Sequence, residues 1–265
     1  MQANDYADSP VYVESLGDGK PLVVLHGWGM HGGMFRDALS RLQRQVQLVD
    51  LPGHGYSKPF ANGFDIDSYT DYLVEQLRLQ HMQDFVLLGW SMGGLLAQSI
   101  AARLRDKVSK LVLLTATPCF VNKVDWQFGV EKSAIEMFAA DLVSDYEKTL
   151  SRFLAIQFLG INDQKELLRN VKKLVFAKPA PDSTMLEQGL QLLDETDLRD
   201  RLAHIHCPTL IINGECDSLI PTSAAAYLAE HIPNARAVII KGAGHAPFLS
   251  HASLFTKYLE DFIDV

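Results

Sequence analysis

The sequence predicts an α/β fold, a mostly parallel sheet covered by helices on both faces, and three observations predict it. Short apolar runs alternate with helical stretches from residue 22 to about 115 and again from about 208 onward, which is the pattern of strand-helix units in a parallel sheet. One run, Phe85-Val86-Leu87-Leu88, leads directly into Gly89-Trp90-Ser91-Met92-Gly93, a serine with a glycine two residues to either side. Two later runs are followed, just past their C-terminal ends, by an aspartate and then a histidine.

Leu22-Val23-Val24-Leu25 reads as the first buried strand, and the loop after it is His26-Gly27-Trp28-Gly29. Val46-Gln47-Leu48-Val49 is the next strand, and Asp50-Leu51-Pro52-Gly53-His54-Gly55-Tyr56-Ser57 reads as a structural turn beside the site. Phe85 to Leu88 is the third, with a helix expected over Leu95 to Leu104 after the serine turn, and Lys110 to Leu114 is the fourth. From Phe120 to Leu193 the pattern changes to helical stretches at roughly 124–140, 143–158, 163–176 and 183–193, with no convincing strand. Leu210-Ile211-Ile212-Asn213-Gly214 and Ala237-Val238-Ile239-Ile240 resume the strands. The expected division is a core of residues 1–118 and 195–265 with an inserted helical cap at 119–194.

The chemistry starts from the serine turn. A strand-to-helix turn holds its central residue in a strained backbone conformation, and side chains two positions away collide with the flanking strand and helix, so glycine is favoured at 89 and 93. Such a turn lifts the Ser91 hydroxyl above the sheet and sets the amide of Met92 beside it, where it can stabilise an oxyanion. A serine hydroxyl needs a base, and the base needs a group that fixes its tautomer. His245, in Gly242-Ala243-Gly244-His245-Ala246-Pro247, is the base by position, and Asp217, in a Gly-x-x-Asp loop, is the acid. Glu215 and, more weakly, Asp50 are the rival acids, while His204, His206, His231 and His251 sit near element boundaries or on helices. The amide of Trp28 is the expected second oxyanion donor, with His26 holding its loop rather than taking part in the reaction. No His-Glu-x-x-His or Cys-x-x-Cys spacing occurs, and no metal or cofactor is expected.

Composition bounds the alternatives. The chain has 265 residues, 48% hydrophobic and 21% charged, enough to bury a substantial core in one or two domains. No apolar run reaches the length of a membrane span, and Met1 to Tyr6 shows neither a basic nor an apolar leader region, so a cytoplasmic location is expected. Cys119, Cys207 and Cys216 have no framework spacing, which suits a reducing compartment. A formal net charge of −8 argues against nucleic acid as a partner.

In the helical insertion, Lys148 and Arg152 are four apart, as are Lys165 and Arg169, with Lys172 and Lys173 one turn on, so each pair shares a face. Read from the residues alone, these are solvated helix faces balanced by Asp145, Glu147 and Glu166. Phe153 and Gln157 share another face that is expected to look toward Ser91, although packing within the insertion is the commoner fate of such an aromatic.

The chain resembles the α/β-hydrolases throughout. More narrowly, it is similar to the pimeloyl-[acyl-carrier protein] methyl ester esterases of biotin synthesis. The resemblance is carried by Leu25-His26-Gly27-Trp28-Gly29, Leu48-Val49-Asp50-Leu51-Pro52-Gly53, Leu88-Gly89-Trp90-Ser91-Met92-Gly93-Gly94, Pro118-Cys119-Phe120, Arg152 to Gln157, and His245 to His251. Met92 and His54 depart from the commonest residues at their positions. The resemblance implies an α/β-hydrolase fold and a serine carboxylesterase that demethylates a pimeloyl chain held on acyl-carrier protein. In that reading Ser91 attacks the ester carbonyl, His245 held by Asp217 moves the proton, and the amides of Trp28 and Met92 hold the oxyanion. Trp28, Ser91, Met92, Phe153, Gln157 and His245 contact substrate. It also implies that Lys148, Arg152, Lys165 and Arg169 meet the acidic carrier protein, which reverses the solvated-face reading, and a monomer is expected. A general short-chain carboxylesterase or a C–C bond hydrolase with the same triad is the alternative, and a non-catalytic ligand receptor on the same fold is the alternative of another class.

Overall fold

The computed structural model describes residues 9–60, 65–157 and 164–264. Seven strands form one sheet: β1 (Val13–Leu16), β2 (Pro21–Leu25), β3 (Gln45–Val49), β4 (Phe85–Trp90), β5 (Val108–Leu114), β6 (Thr209–Gly214) and β7 (Ala235–Ile240). Their spatial order is β1-β3-β2-β4-β5-β6-β7, with β1 antiparallel to β3 and all other pairs parallel. The expected strands are all present. β1 is additional to them, because a short, half-buried antiparallel edge lacks a continuous apolar run. The central strands are buried on both sides, as the Val, Leu and Ile runs of β2, β4 and β6 require, while β3 also buries Gln45 and Gln47.

The helices are α1 (Arg36–Leu39), α2 (Ile66–Gln76), α3 (Met92–Arg103), α4 (Lys132–Ser144), α5 (Tyr146–Gln157), α6 (Gln164–Val175), α7 (Ser183–Glu195), α8 (Thr222–His231), α9 (Pro247–Ser250) and α10 (Ala252–Ile263). Helices α4 to α7 lie between β5 and β6. The first of them begins at Lys132 rather than near 124. Residues 120–131 instead make a folded loop, because Asn122 uses its side chain to accept from Gly129 N–H and to donate to Glu131, and Gly129 lies against the carbonyl of Phe120. Trp126 anchors this loop, buried and donating to the carbonyl of Cys119.

Four contacts tie the inserted helices to the loops at the C-terminal edge of the sheet. Trp28 Nε1 donates to the carbonyl of Leu186 on α7 at 2.9 Å, and Asp182 N–H donates to the carbonyl of Gly53 at 2.8 Å. His31 Nε2 lies 2.9 Å from the carbonyl of Leu174. Lys178, between α6 and α7, places its ammonium 2.7 Å from the Asp50 carboxylate in a pair that is almost wholly buried. Asp50, one of the rival acids, is thereby consumed: its oxygens also accept from the N–H groups of Gly32 and Tyr56.

Between β4 and α3 the chain turns at Ser91, which has φ 55° and ψ −120°. A non-glycine residue there costs on the order of 1–3 kcal/mol and persists only when its surroundings dictate it. The surroundings are backbone. A Cβ on Gly93 would stand 2.3 Å from the carbonyl oxygen of Leu25 and 2.5 Å from that of His26, and one on Gly89 would stand 2.3 Å from the carbonyl of Gly93. The helix start is therefore pressed onto the end of β2 with no room for a side chain. Because neither carbonyl can yield, Gly93→Ala is expected to cost about 3 kcal/mol or more, lowering Tm by roughly 6–10 °C for a chain of this size. Thermal unfolding measures it, and a drop below about 2 °C would show that the two backbones can part.

Candidate active site

The parallel sheet brings the ends of β4, β6 and β7 to one edge, and there three distant residues meet. Ser91 Oγ lies 2.9 Å from His245 Nε2, and His245 Nδ1 lies 2.9 Å from Asp217 Oδ2. With a carboxylate on one side, Nδ1 carries the proton and donates, leaving Nε2 to accept from the serine hydroxyl. The His245 imidazole and the Asp217 carboxylate are buried, and Ser91 is 6% exposed. Asp217 is held in turn: its Oδ1 accepts from the N–H groups of Leu219 and Ile220 at 2.8 and 3.0 Å. Glu215, the nearer rival, points elsewhere and accepts from Gly242 N–H.

Two further side chains fix the histidine loop, and only one has a sequence signal. Trp90 Nε1 and Thr115 Oγ1 both donate to the carbonyl of His245, at 2.9 and 2.8 Å. Trp90 stands out in the elbow motif, and its indole packs edge-on against Phe248. Thr115 gives no signal, since a threonine at a strand end is common.

Above the serine lies the loop after β2. Gly27 is so close that a Cβ there would be 3.2 Å from the Ser91 Cβ. Among the described residues nothing accepts a hydrogen bond from the backbone N–H of Trp28 or of Met92, the two expected oxyanion donors. The Trp28 indole is 2% exposed, in edge-on contact with Phe138 of α4 and Phe153 of α5. Gly189 of α7 comes close enough that a Cβ would sit 2.7 Å from the indole.

A cavity of about 160 Å³ opens at Ser91, lined by Trp28, Phe120, Phe138, Phe153, Leu190, Leu219 and other apolar side chains, with no charged group among the described residues of its wall. Phe153 thus reaches the site as expected, whereas the side chain of Gln157 lies outside the described residues. On the far face of α5 a second, open groove of about 660 Å³ runs along α6, lined by Ser151, Lys165, Arg169, Lys172, Lys173 and Phe176. The four expected basic residues separate here. Lys165 and Arg169 line the groove, Arg169 also 3.8 Å from Glu166. Lys148 and Arg152 do not line it, and the exposed Arg152 pairs with Asp141 at 2.6 Å.

The fold and the Ser-His-Asp chain define an α/β-hydrolase, and residues 20–252 match the family described as alpha/beta hydrolase fold. Among solved structures, the chain is similar to an esterase from Exiguobacterium antarcticum, with a TM-score of 0.87 and 29% identity over 96% of each chain. It is also similar to a bromoperoxidase from Bacillus anthracis, with a TM-score of 0.86 and 27% identity over 96% of this chain and 95% of that one. A pimeloyl-[acyl-carrier protein] methyl ester esterase of Nitrosomonas europaea is 37% identical over 249 residues, 93% of this chain and 97% of its own. One of Xylella fastidiosa is 39% identical over 257 residues, 96% of this chain and 98% of its own. The chain belongs to the pimeloyl-[acyl-carrier protein] methyl ester esterase family, whose members are carboxylic ester hydrolases.

Behind the triad, three histidines are buried: His26, His31 and His54. Desolvation pushes the pKa of His26 well below the usual range, with the neighbouring His54 adding to it. Desolvation also lowers His54, partly offset by its hydrogen bond to the Pro52 carbonyl, and lowers His31. The fold therefore holds these rings neutral, while the unfolded chain takes up protons below about pH 6.5. Their contribution is fully present above that pH and is lost as pH falls from it toward the folded values. The decline of Tm between pH 6.5 and 5 should be shallower in His54→Gln, which removes one such group, than in the wild type. Parallel declines would mean that His54 is not held neutral.

Proposed function

We propose that the chain hydrolyses the methyl ester of pimeloyl-[acyl-carrier protein], releasing methanol and the free carboxylate. The observation that carries this is the Ser91–His245–Asp217 chain opening into a pocket whose described wall is uncharged. The names of relatives 37% and 39% identical over nearly their whole length support the particular substrate. Residues 119–194 serve as the cap. Ser91 attacks the ester carbonyl as His245 takes its proton, and Asp217 holds the ring and balances its charge. The N–H groups of Trp28 and Met92 receive the developing oxyanion. His245 then protonates the departing methoxide, and water attacks the acyl-enzyme with the same histidine as base. Phe153 and the Trp28 indole pack the acyl chain, and Gln157 is assigned beside them.

The carrier protein is proposed to dock on the cap, with Lys165 and Arg169 in the α6 groove as its main contacts and Lys148 and Arg152 at its margin. An open cationic groove around a half-exposed Phe176 suits an acidic partner bearing a phosphate and an apolar arm. The proposed setting is the cytoplasm, with the enzyme as a monomer.

Ser91→Ala, His245→Ala and Asp217→Asn are each expected to lower kcat by about 10³-fold or more, with double variants little worse because the triad acts as a unit. Folding, measured by circular dichroism, should be intact. If Ser91→Ala turns over a small ester at the wild-type rate, the nucleophile is misassigned.

The groove makes a separate prediction. Lys165→Glu with Arg169→Glu should raise KM for the carrier-linked ester about tenfold or more at low salt and flatten its salt dependence. Arg152→Glu should do less, since Asp141 already screens that charge. A small soluble methyl ester should be turned over as before. Equal losses on both substrates would instead indicate a damaged cap.

A further inference from the structure

The loops after β2 and β3 lie side by side because Leu25 and Val49 are paired neighbours in the sheet. They exchange a reciprocal pair of hydrogen bonds through two histidines. His26, on the first loop, accepts from Leu51 N–H of the second at 2.8 Å, and His54, on the second, accepts from Gly29 N–H of the first at 3.3 Å. Each ring uses its other nitrogen on a carbonyl of its own loop, Gly27 at 2.7 Å and Pro52 at 2.9 Å. That arrangement fixes both tautomers: Nδ1 donates and Nε2 accepts, and neither ring can do both jobs if Nε2 carries a proton. The rings are 5.2 Å apart and buried.

Gly29 directly succeeds Trp28, whose N–H is assigned to the oxyanion. It stands at φ +70°, a conformation in which a glycine turn has no intrinsic preference to stay. Within the loop, the Gly27 carbonyl, which shares a peptide unit with the Trp28 N–H, accepts from His26 Nδ1 at 2.7 Å and from Met30 N–H at 3.2 Å. The peptide before Trp28 is thus held by His26, and the peptide after it, that of Gly29, is held across the two loops by His54.

We propose that His54 is a positioning residue of the oxyanion hole: its Nε2 acceptor holds the Gly29 peptide on the far side of Trp28, while His26 holds the near side, and together they keep the Trp28 N–H aimed at the oxyanion. The inference rests on Trp28 being an oxyanion donor in a Ser91 hydrolase. A donor turned away weakens the transition state and leaves ground-state binding of the ester unchanged, so the effect falls on kcat.

The test compares His54→Phe, which keeps a ring but has no acceptor, with His54→Gln, whose Oε1 can take the place of Nε2. A soluble methyl ester and a trifluoromethyl ketone, which forms a tetrahedral adduct on a serine, serve as probes. His54→Phe should lose about 10- to 100-fold in kcat and a similar factor in ketone affinity, with KM for the ester within about twofold, and His54→Gln should recover most of both. If His54→Phe does not fold, His54→Asn, too short to reach Gly29, replaces it. Wild-type kcat without the acceptor overturns the proposal, and so does an equal loss in His54→Gln, because that traces the effect to ring packing. Ser91→Ala separates the two levels. An active Ser91→Ala refutes the hydrolase assignment, whereas an inactive one alongside a fully active His54→Phe refutes only the role of His54.

Discussion

The constraint on which the site depends is the contact of backbone with backbone at the start of α3. Gly93 lies under the carbonyls of Leu25 and His26, and Gly89 lies under the carbonyl of Gly93, so the ends of β2 and β4 and the helix are spaced by main-chain atoms alone. Side chains can rotate or repack, and peptide groups in such contact cannot. The strained φ of Ser91 is the cost of that spacing, and α3, buried from Met92 to Ala101, supplies the packing that holds it. The consequence is preorganisation: Ser91 and the end of β2 keep their relative places before any substrate arrives.

Around that fixed point the polar groups are arranged without loose charge. His26 and His54 are held neutral, and the Asp50–Lys178 pair is closed by N–H donors from Gly32 and Tyr56 and by the rings of Tyr12 and Tyr56 facing the ammonium at 4.8 and 5.1 Å. A buried ion pair contributes little net stability over apolar groups of the same size, but losing one partner costs about 3–5 kcal/mol. Its value here is registration. It fixes where the turn between α6 and α7 meets the end of β3, and with the Trp28–Leu186 bond it sets the height of α7 over the serine.

The parts of this arrangement that are legible in the sequence are those written in a local pattern. Unbroken apolar runs mark the central strands, and the glycine spacing marks the elbow. The order Ser91, Asp217, His245 at strand ends names three side chains that the structure places in one hydrogen-bonded chain. The hidden parts depend on partners far along the chain. Nothing near residue 178 announces that Lys178 will be buried against Asp50, 128 residues away. His54 registers only as a departure from the usual residue, because its function lies in a bond to Gly29 in another loop. The sequence pattern starts α4 too early, since residues 124–131 contain no proline to break it, and it is side-chain bonds from Asn122 that hold them in a loop. The basic faces look equivalent in the sequence, and only the tertiary position of Asp141 distinguishes Arg152 from the groove on α6.

Helix α5 shows why the triad motif alone does not specify a substrate. Phe153 and Ile156 face a pocket whose described wall is uncharged, while Ser151 on the same helix lines a groove edged by Lys165, Arg169, Lys172 and Lys173. An uncharged pocket favours a neutral acyl end, and a carboxylate generated there loses hydration without gaining a counter-ion, which works toward its release. In the proposed docking, the cationic groove, on a protein of net charge −8, is the face that the anionic carrier meets. One helix thus separates two opposite electrostatic demands by its own thickness. The proposed substrate, a methyl-masked acyl chain on an acidic carrier, is neutral where it is cut and anionic where it is carried.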